Sequence, residues 1–63
     1  MPDITKLRKE LGLRQADLAD AAEVSLQYIW MIENGERKPS VKVAKRIAEV
    51  LGFDWTEFFK ETA

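Results

Sequence analysis

The chain has 63 residues, of which 46% are hydrophobic and 33% charged, and this length supports a single small domain over residues 1–63. It contains no Cys and no His, which excludes disulfides, imidazole bases and most metal sites; together with the small size, this predicts a protein with no metal, no cofactor and no enzymatic activity. Ten basic and eleven acidic residues give a net charge of −1, which excludes a uniformly basic nucleic-acid binder, so any binding of a polyanion must come from local placement of charge.

The first two predicted helices come from apolar residues at helical spacing. Ile4, Leu7 and Leu11 recur at steps of three and four residues, and Gly12 follows as a left-handed stop. A second short segment runs from about Gln15 to Ala22, with its acidic residues on the opposite side. The residues on its apolar side are Leu18, Ala19 and Ala22.

The third and fourth predicted helices each follow a serine, a residue type that caps helix N-termini. Ser25 precedes a segment from Leu26 to Glu33, which an Asn-Gly pair ends. Ser40 precedes a fourth helix, which Gly52 closes. The apolar stripe of this fourth helix comprises Val43, Ala44, Ile47, Ala48 and Leu51.

A fifth short helix is predicted at the C-terminal end, because Asp54 and Glu57 have the spacing of a capping box. It carries three aromatic residues, Trp55, Phe58 and Phe59. These side chains either close over the core or form a self-complementary dimer patch. Five short helices with short connections predict a compact all-α bundle.

Basic residues are concentrated after the third helix. The first 34 residues contain four basic and six acidic residues, whereas 35–46 contain five basic residues against Glu36 alone. Such a local patch can hold a polyanion, although the basic residues of the fourth helix can also be its solvated face. The five basic residues are Arg37, Lys38, Lys42, Lys45 and Arg46.

Helices two and three have the spacing of a helix-turn-helix, in which the second helix enters the DNA major groove. The motif words are GLRQADLA at 12–19, Val-Ser at 24–25, Ile29, and IENGERKPS at 32–40. Together they resemble the phage-repressor and Cro-like family, also called the XRE family, over roughly Ile4 to Phe59. The resemblance implies a compact five-helix, lambda-repressor-like bundle whose partner is double-stranded DNA.

The third helix has an outward surface that is unusually poor in charge. At 100° per residue, Ile29 and Ile32 define the inward face, and Gln27 and Met31 point outward. Gln can pair with adenine, and apolar side chains can pack on thymine methyl groups. The alternative is that this apolar surface packs within the domain or against a second protein. The candidate base contacts are Leu26, Gln27, Tyr28, Trp30 and Met31.

Phosphate contacts are expected at both ends of the motif. The resemblance implies that Gln15, at the start of the second helix, binds a phosphate, where backbone N–H groups and the helix dipole also favour an anion. The family often has a capping side chain just before it, but this chain has Arg14, which forfeits a cap and adds a positive charge. The candidate phosphate contacts are Arg14, Gln15, Ser25, Asn34, Arg37 and Lys38.

Two further positions concern stability. The resemblance implies an ion pair between Arg8 and Glu33, and if it is buried, removing one partner should cost about 3–5 kcal/mol. The family usually has Gly in the turn where this chain has Glu23. A left-handed conformation there would cost roughly 1 kcal/mol, so the turn is either strained or differently shaped.

The leading functional hypothesis is a transcriptional repressor that reads a short palindromic operator through the third helix. The alternative is a protein-interaction module, such as an antitoxin, that binds a partner protein through Tyr28, Trp30 and Met31. A chain this short predicts a monomer or weak homodimer that pairs on its operator. The longest apolar run, Tyr28 to Ile32, is far shorter than the about 18 residues of a membrane span, and no signal peptide precedes it. We therefore expect a complete, cytoplasmic protein with no membrane partner.

Overall fold

A computed structural model describes residues 2–60 of the protein. Residues 2–60 form four α-helices and one 3₁₀ helix, and none of them lies in a β-strand. The expected all-helical architecture is confirmed, although the fifth helix is a 3₁₀ helix. The elements are α1 (Ile4–Glu10), α2 (Gln15–Ala22), α3 (Leu26–Glu33), α4 (Val41–Leu51) and the 3₁₀ helix (Trp55–Phe59).

Polar side chains cap the start of three α-helices. The carboxylate of Asp3 accepts a hydrogen bond from the Lys6 backbone N–H at 3.1 Å. The hydroxyl of Ser25 accepts from the backbone N–H of Tyr28 at 3.1 Å, and Ser40 caps α4 in the same way. Each cap satisfies an N–H group that lacks a partner within its helix.

At the start of α2 the cap comes from within the helix. Arg14 has no side-chain oxygen and makes no capping hydrogen bond, as the sequence predicts. Asp17 instead accepts a hydrogen bond from the Arg14 backbone N–H at 2.8 Å. This is half of a capping box, and it fixes the first turn of α2 without a capping side chain at Arg14.

The 3₁₀ helix begins differently from the prediction. Asp54 accepts from the backbone N–H of Thr56 at 3.0 Å and from its hydroxyl at 2.8 Å, so its carboxylate caps the turn after two residues. Glu57, the expected reciprocal partner, forms an ion pair with Lys60 instead. The expected capping box is therefore wrong, and the predicted fifth helix is a tight 3₁₀ helix of five residues.

One core runs through the bundle, where α2 packs against α3 and α4, and α4 packs against α1 and the 3₁₀ helix. The predicted apolar sides of α2 and α4 are all buried. Leu11 departs from the predicted stripe of α1, because the helix ends one residue earlier and leaves this side chain 55% exposed. The largest fully buried side chains are Ile4, Leu18, Ile29, Ile32, Ile47 and Phe58.

Within residues 2–60, no helix has the length and apolar character needed to cross a membrane.

Candidate nucleic-acid interface

The exposed side of α3 presents uncharged side chains to solvent. Ile29 and Ile32 have no exposed surface and fix the rotation of the helix on the core. Gln27 is consequently exposed, and Leu26 and Trp30 remain 51% and 47% exposed. Large apolar side chains on a solvated helix face are typical of a surface that binds a partner. The burial of Ile29 and Ile32 and the exposure of Gln27 agree with the inward and outward faces that helical periodicity predicts for them.

The other two candidate base contacts, Tyr28 and Met31, are half-buried, so Met31 is less exposed than its predicted outward direction implies. The Tyr28 hydroxyl accepts a hydrogen bond from the backbone N–H of Ser40 at 3.2 Å. The guanidinium of Arg37 lies over the Tyr28 ring, 4.7 Å from its centroid. The structure therefore brings Tyr28 against the loop that follows α3, a contact that sequence periodicity did not indicate.

At the N-terminal end of α2, the Arg14 and Gln15 side chains are already engaged within the protein. The guanidinium of Arg14 pairs with Asp17 at 3.0 Å, and its side chain remains 81% exposed. Hydrogen bonding to Arg14 holds the pKa of the Asp17 carboxyl below its usual value. Gln15 Nε2 donates to Glu33 Oε1 at 3.2 Å, which leaves its second amide N–H for another acceptor.

Glu33, on the inward side of α3, accepts hydrogen bonds from three side chains, two on α1 and one on α2. Arg8 Nε lies 2.8 Å from Glu33 Oε2, and the side chains of this pair are only 9% and 5% exposed. Thr5 Oγ1 and Gln15 Nε2 donate to Glu33 Oε1 at 2.9 and 3.2 Å. Sequence reasoning named the Arg8–Glu33 pair but missed Thr5, whose helical spacing carries no sign of this contact.

The charge of Glu33 is stabilised against the effect of its burial. Burial alone raises the pKa of this carboxyl, but the hydrogen bonds from Arg8, Thr5 and Gln15 outweigh it, so the pKa lies below its ordinary value. Arg8 also donates to the backbone carbonyl of Leu13 at 2.8 Å. The network thereby ties α1, the start of α2 and the end of α3 into one unit.

The loop after α3 supplies donors and positive charge on the exposed surface. Asn34 is exposed, and its Nδ2 donates to the Trp30 carbonyl at 2.7 Å, which caps the end of α3. Arg37 and Lys38 of the loop and Lys42 in the first turn of α4 are all exposed. Basic side chains and amides of this kind are the groups that contact phosphate oxygens in protein–DNA complexes.

The turn between α2 and α3 adopts the left-handed conformation. Glu23 has φ 59° and ψ 42°, the conformation that favours glycine, so the strained alternative is the correct one. Its carboxylate pairs with Arg46 of α4 at 2.9 Å. Arg46 also donates to the carbonyl of Ala22 at 3.4 Å. This pairing uses the Arg46 guanidinium within the domain, in keeping with the alternative that basic residues of α4 are not DNA contacts.

The aromatic residues at the C-terminal end divide between core and surface. Phe58 is 2% exposed and packs on Phe53, with 5.2 Å between ring centroids. Trp55 is half-buried beneath Lys45, whose Nζ lies 5.0 Å from the ring centroid. Phe59 remains 37% exposed. Closing over the core accounts for Phe58, and only the other two aromatics offer surface to a second copy.

In the described part of the chain, no group of acidic side chains is arranged to hold a metal ion. The candidate interface consists of the exposed side of α3, the start of α2 and the basic loop after α3. Its chemistry is hydrogen bonding, apolar contact and local positive charge.

The chain is similar to several proteins named as regulators. The profile of a family described as helix-turn-helix matches residues 4–58. The uncharacterized HTH-type transcriptional regulator YqaF of Bacillus subtilis (strain 168) is 53% identical over 58 residues, which cover 92% of this chain and 76% of that protein. An uncharacterized HTH-type transcriptional regulator of Methanothermobacter thermautotrophicus is 44% identical over 54 residues, which cover 86% of this chain and 78% of that protein. The ImmF control region 10 kDa protein of Bacillus phage phi105 is 43% identical over 47 residues, covering 75% of this chain and 52% of that protein.

Proposed function

The chain belongs to the helix-turn-helix family, and from this premise we propose that it is a sequence-specific DNA-binding regulator of transcription. In this proposal α3 lies in the major groove and reads base edges with its exposed side chains. The start of α2 and the loop after α3 contact the phosphates on either side. No step requires catalysis, and the relatives are named as regulators or as a control-region protein rather than as enzymes.

One observation carries the proposal: the exposed side of α3 has no charged residue between Leu26 and Met31 but presents Gln27 beside two large apolar side chains. A helix that faced only water would carry Lys, Glu or Arg there. The amide of Gln27 can donate to N7 and accept from N6 of adenine, and Leu26 and Trp30 can contact thymine methyl groups. We therefore propose base contacts from α3 to A·T-containing positions.

Phosphate contacts are proposed on both sides of that surface. Gln15 keeps an amide N–H beyond the one that Glu33 accepts, and it sits at a helix N-terminus, which favours an anion. Asn34, Arg37 and Lys38 are exposed after α3, where the local charge is positive although the whole chain carries −1. Arg14 and Ser25, one paired with Asp17 and one capping α3, complete the proposed set at the start of each helix.

We further propose that the protein represses transcription by occupying a palindromic operator that overlaps a promoter. Two copies would bind the two half-sites of such an operator, because two-fold related sites match two-fold related proteins. The partly exposed Trp55 and Phe59 are the surface available for contact between copies. The name of the phage relative, a control-region protein, supports a regulatory role of this kind.

The experiment that tests the proposal is selection of the protein against a randomised duplex pool, followed by fluorescence anisotropy of the enriched duplex at two salt concentrations. Enrichment of a two-fold symmetric site, with affinity that falls steeply as salt rises, supports it, because each neutralised phosphate releases counterions. A folded protein that enriches no sequence contradicts it.

A second candidate function rests on the same exposed apolar side chains. Leu26 and Trp30 could pack against a partner protein, as in an antitoxin, and the net charge of −1 is compatible with that role. Apolar contact of this kind depends weakly on salt, whereas phosphate contact depends strongly on it. A folded protein that enriches no duplex, or whose duplex binding does not weaken with salt, therefore favours the second function.

A further inference from the structure

Tyr28 and the loop after α3 form a connected group, which we call the Tyr28 latch: Tyr28, Arg37 and Ser40. The Tyr28 hydroxyl accepts a hydrogen bond from the Ser40 backbone N–H at 3.2 Å. The guanidinium of Arg37 lies 4.7 Å from the centroid of the same ring. Pro39, two residues after Arg37, is buried, so the loop is held against the domain on both sides of Lys38.

These contacts leave Tyr28 little freedom to act as a base reader. Its ring is half-buried and has Arg37 on one face, and its hydroxyl already accepts a hydrogen bond. A side chain that reads a base edge, through a polar group or an apolar surface, needs room to approach the groove. Gln27 and Trp30, in contrast, are exposed on the same helix.

The latch has a direct consequence for Arg37. A long side chain in a solvated loop samples many rotamers, and ordering it on binding lowers affinity. Stacking on an aromatic ring restricts a planar guanidinium while leaving its edge N–H groups free to donate. The guanidinium edge of Arg37 is therefore held beside the N-terminal half of α3, where phosphates flank the groove that receives the helix.

We propose that Tyr28 is a positioning residue for phosphate contact: it orders Arg37 and the loop through Ser40, and it does not read a base. This inference rests on the proposed DNA binding. It removes Tyr28 from the base contacts that the sequence predicts. The position of the loop then depends on a residue of α3 itself. Arg37 donates to a phosphate, and Tyr28 determines where that donor lies.

The test compares Tyr28→Leu, Tyr28→Phe, Arg37→Ala and the double variant on the enriched duplex, with anisotropy measured over a range of salt. Arg37→Ala should lower affinity equally on all sequences and reduce the slope of log affinity against log salt by about one, the effect of one lost phosphate contact. Tyr28→Leu should reproduce that reduction in slope. Tyr28→Phe keeps the ring under Arg37 and should retain the wild-type slope.

The double variant Tyr28→Leu, Arg37→Ala should bind no more weakly than Arg37→Ala alone, because both changes remove the same contact. Additive losses overturn the inference. A Tyr28→Leu variant that keeps its salt slope but relaxes the preference at one base pair also overturns it, and identifies Tyr28 as a base reader. Folding of each variant is checked by thermal unfolding followed by circular dichroism.

A measurement on the unaltered protein supports the same test if Tyr28→Leu does not fold. In an NMR spectrum the side-chain protons of Arg37 should be shifted upfield by the ring current of Tyr28, in the wild type and in Tyr28→Phe alike. Arg37 shifts at random-coil values overturn the inference while leaving the proposed DNA binding intact. A folded wild-type protein that binds no duplex overturns both.

Discussion

Gln27 and Glu33 lie on the same helix, but one side chain is exposed and the other is buried. Gln27 is exposed, whereas the Glu33 side chain is 5% exposed and accepts hydrogen bonds from three other side chains. A change at the exposed position alters what the helix can bind. A change at the buried one alters whether the helix is held in place. We therefore expect changes at Gln27 to affect binding and changes at Glu33 to affect stability.

Replacing Gln27 by Ala should weaken binding to the enriched duplex by about 1–3 kcal/mol, because one bidentate contact to a base is lost. The stability of the fold should not change, since the side chain is exposed. Anisotropy titrations measure the first effect and thermal unfolding the second. Leu11→Ala is the matched control, because it also shortens an exposed, uncharged side chain but lies at the C-terminal end of α1, away from α3. Unchanged affinity and sequence preference in Gln27→Ala would remove Gln27 from the base contacts.

Glu33 should make folding stability depend on pH in the acid range. Its pKa in the folded protein lies below the ordinary value of 4.5, so its contribution to stability is complete above about pH 4.5 and is lost as pH falls through the folded pKa. Glu33→Ala should cost about 3–5 kcal/mol at pH 7, because Arg8 is left buried without its partner.

Urea unfolding of the wild type and of Glu33→Gln between pH 7 and pH 3 measures this dependence. The Gln variant should lose less stability on acidification than the wild type, because one carboxylate with a lowered pKa is gone. Glu49→Gln, an exposed position on α4, should behave like the wild type. Parallel pH profiles for Glu33→Gln and the wild type would show that Glu33 is not the group responsible.

At the scale of elements, the angle between α2 and α3 depends on a left-handed residue in the turn. Glu23 adopts that conformation, and Arg46 of α4 holds both its carboxylate and the neighbouring Ala22 carbonyl. The ion pair is largely exposed on the Glu23 side, at 70%, so its contribution to stability is small. The pair instead joins the turn to α4.

Replacing Glu23 by Gly should therefore leave stability unchanged or raise it slightly, because relief of left-handed strain offsets loss of the ion pair. Glu23→Ala is the matched control: it also loses the ion pair but keeps a Cβ in the left-handed conformation. The Gly variant should be more stable than the Ala variant by about 1 kcal/mol in urea unfolding. Equal stabilities would mean that the turn carries no backbone strain.

At the scale of the whole molecule, size limits how two copies can meet on DNA. The domain measures 32 × 20 × 19 Å, and adjacent major-groove half-sites are about 34 Å apart. If two copies bind at that spacing, we expect them to meet only at their edges, through the partly exposed Trp55 and Phe59. We therefore expect the proposed dimer to be weak in solution and to form on DNA.

Cooperative binding should accordingly depend on half-site spacing. On the enriched duplex, two copies should bind cooperatively, and inserting about 5 base pairs between the half-sites should abolish cooperativity by placing the copies on opposite sides of the helix. Gel-shift titration of the two duplexes shows the difference, and analytical ultracentrifugation without DNA should show mainly monomer. Phe59→Ser should weaken cooperativity without changing affinity for a single half-site. Equal cooperativity at both spacings would exclude contact between copies.

Local signals in the sequence determined where the helices lie. Caps such as Ser25 and Ser40, a glycine after α4 and apolar spacing act over three or four residues, so they can be read directly along the chain. The bounds of α2 and α3, the inward face of Ile29 and Ile32, and the exposure of Gln27 followed from them. The fifth short helix was predicted, but its 3₁₀ form was not, because spacing alone does not show that the Asp54 carboxylate bonds to Thr56.

Only the tertiary structure decided what the polar side chains of the interface do. Tyr28 meets Ser40, Arg46 meets Glu23, and Gln15 meets Glu33, and each pair is separated by many residues of chain. Helical periodicity gives the direction of a side chain relative to its own helix axis, but not which distant residue lies there. That depends on how the helices pack, and packing brings together residues whose separation along the chain carries no signal. The sequence by itself thus determined the helices and their faces, and the packing of those faces decided which exposed groups remain free to bind DNA.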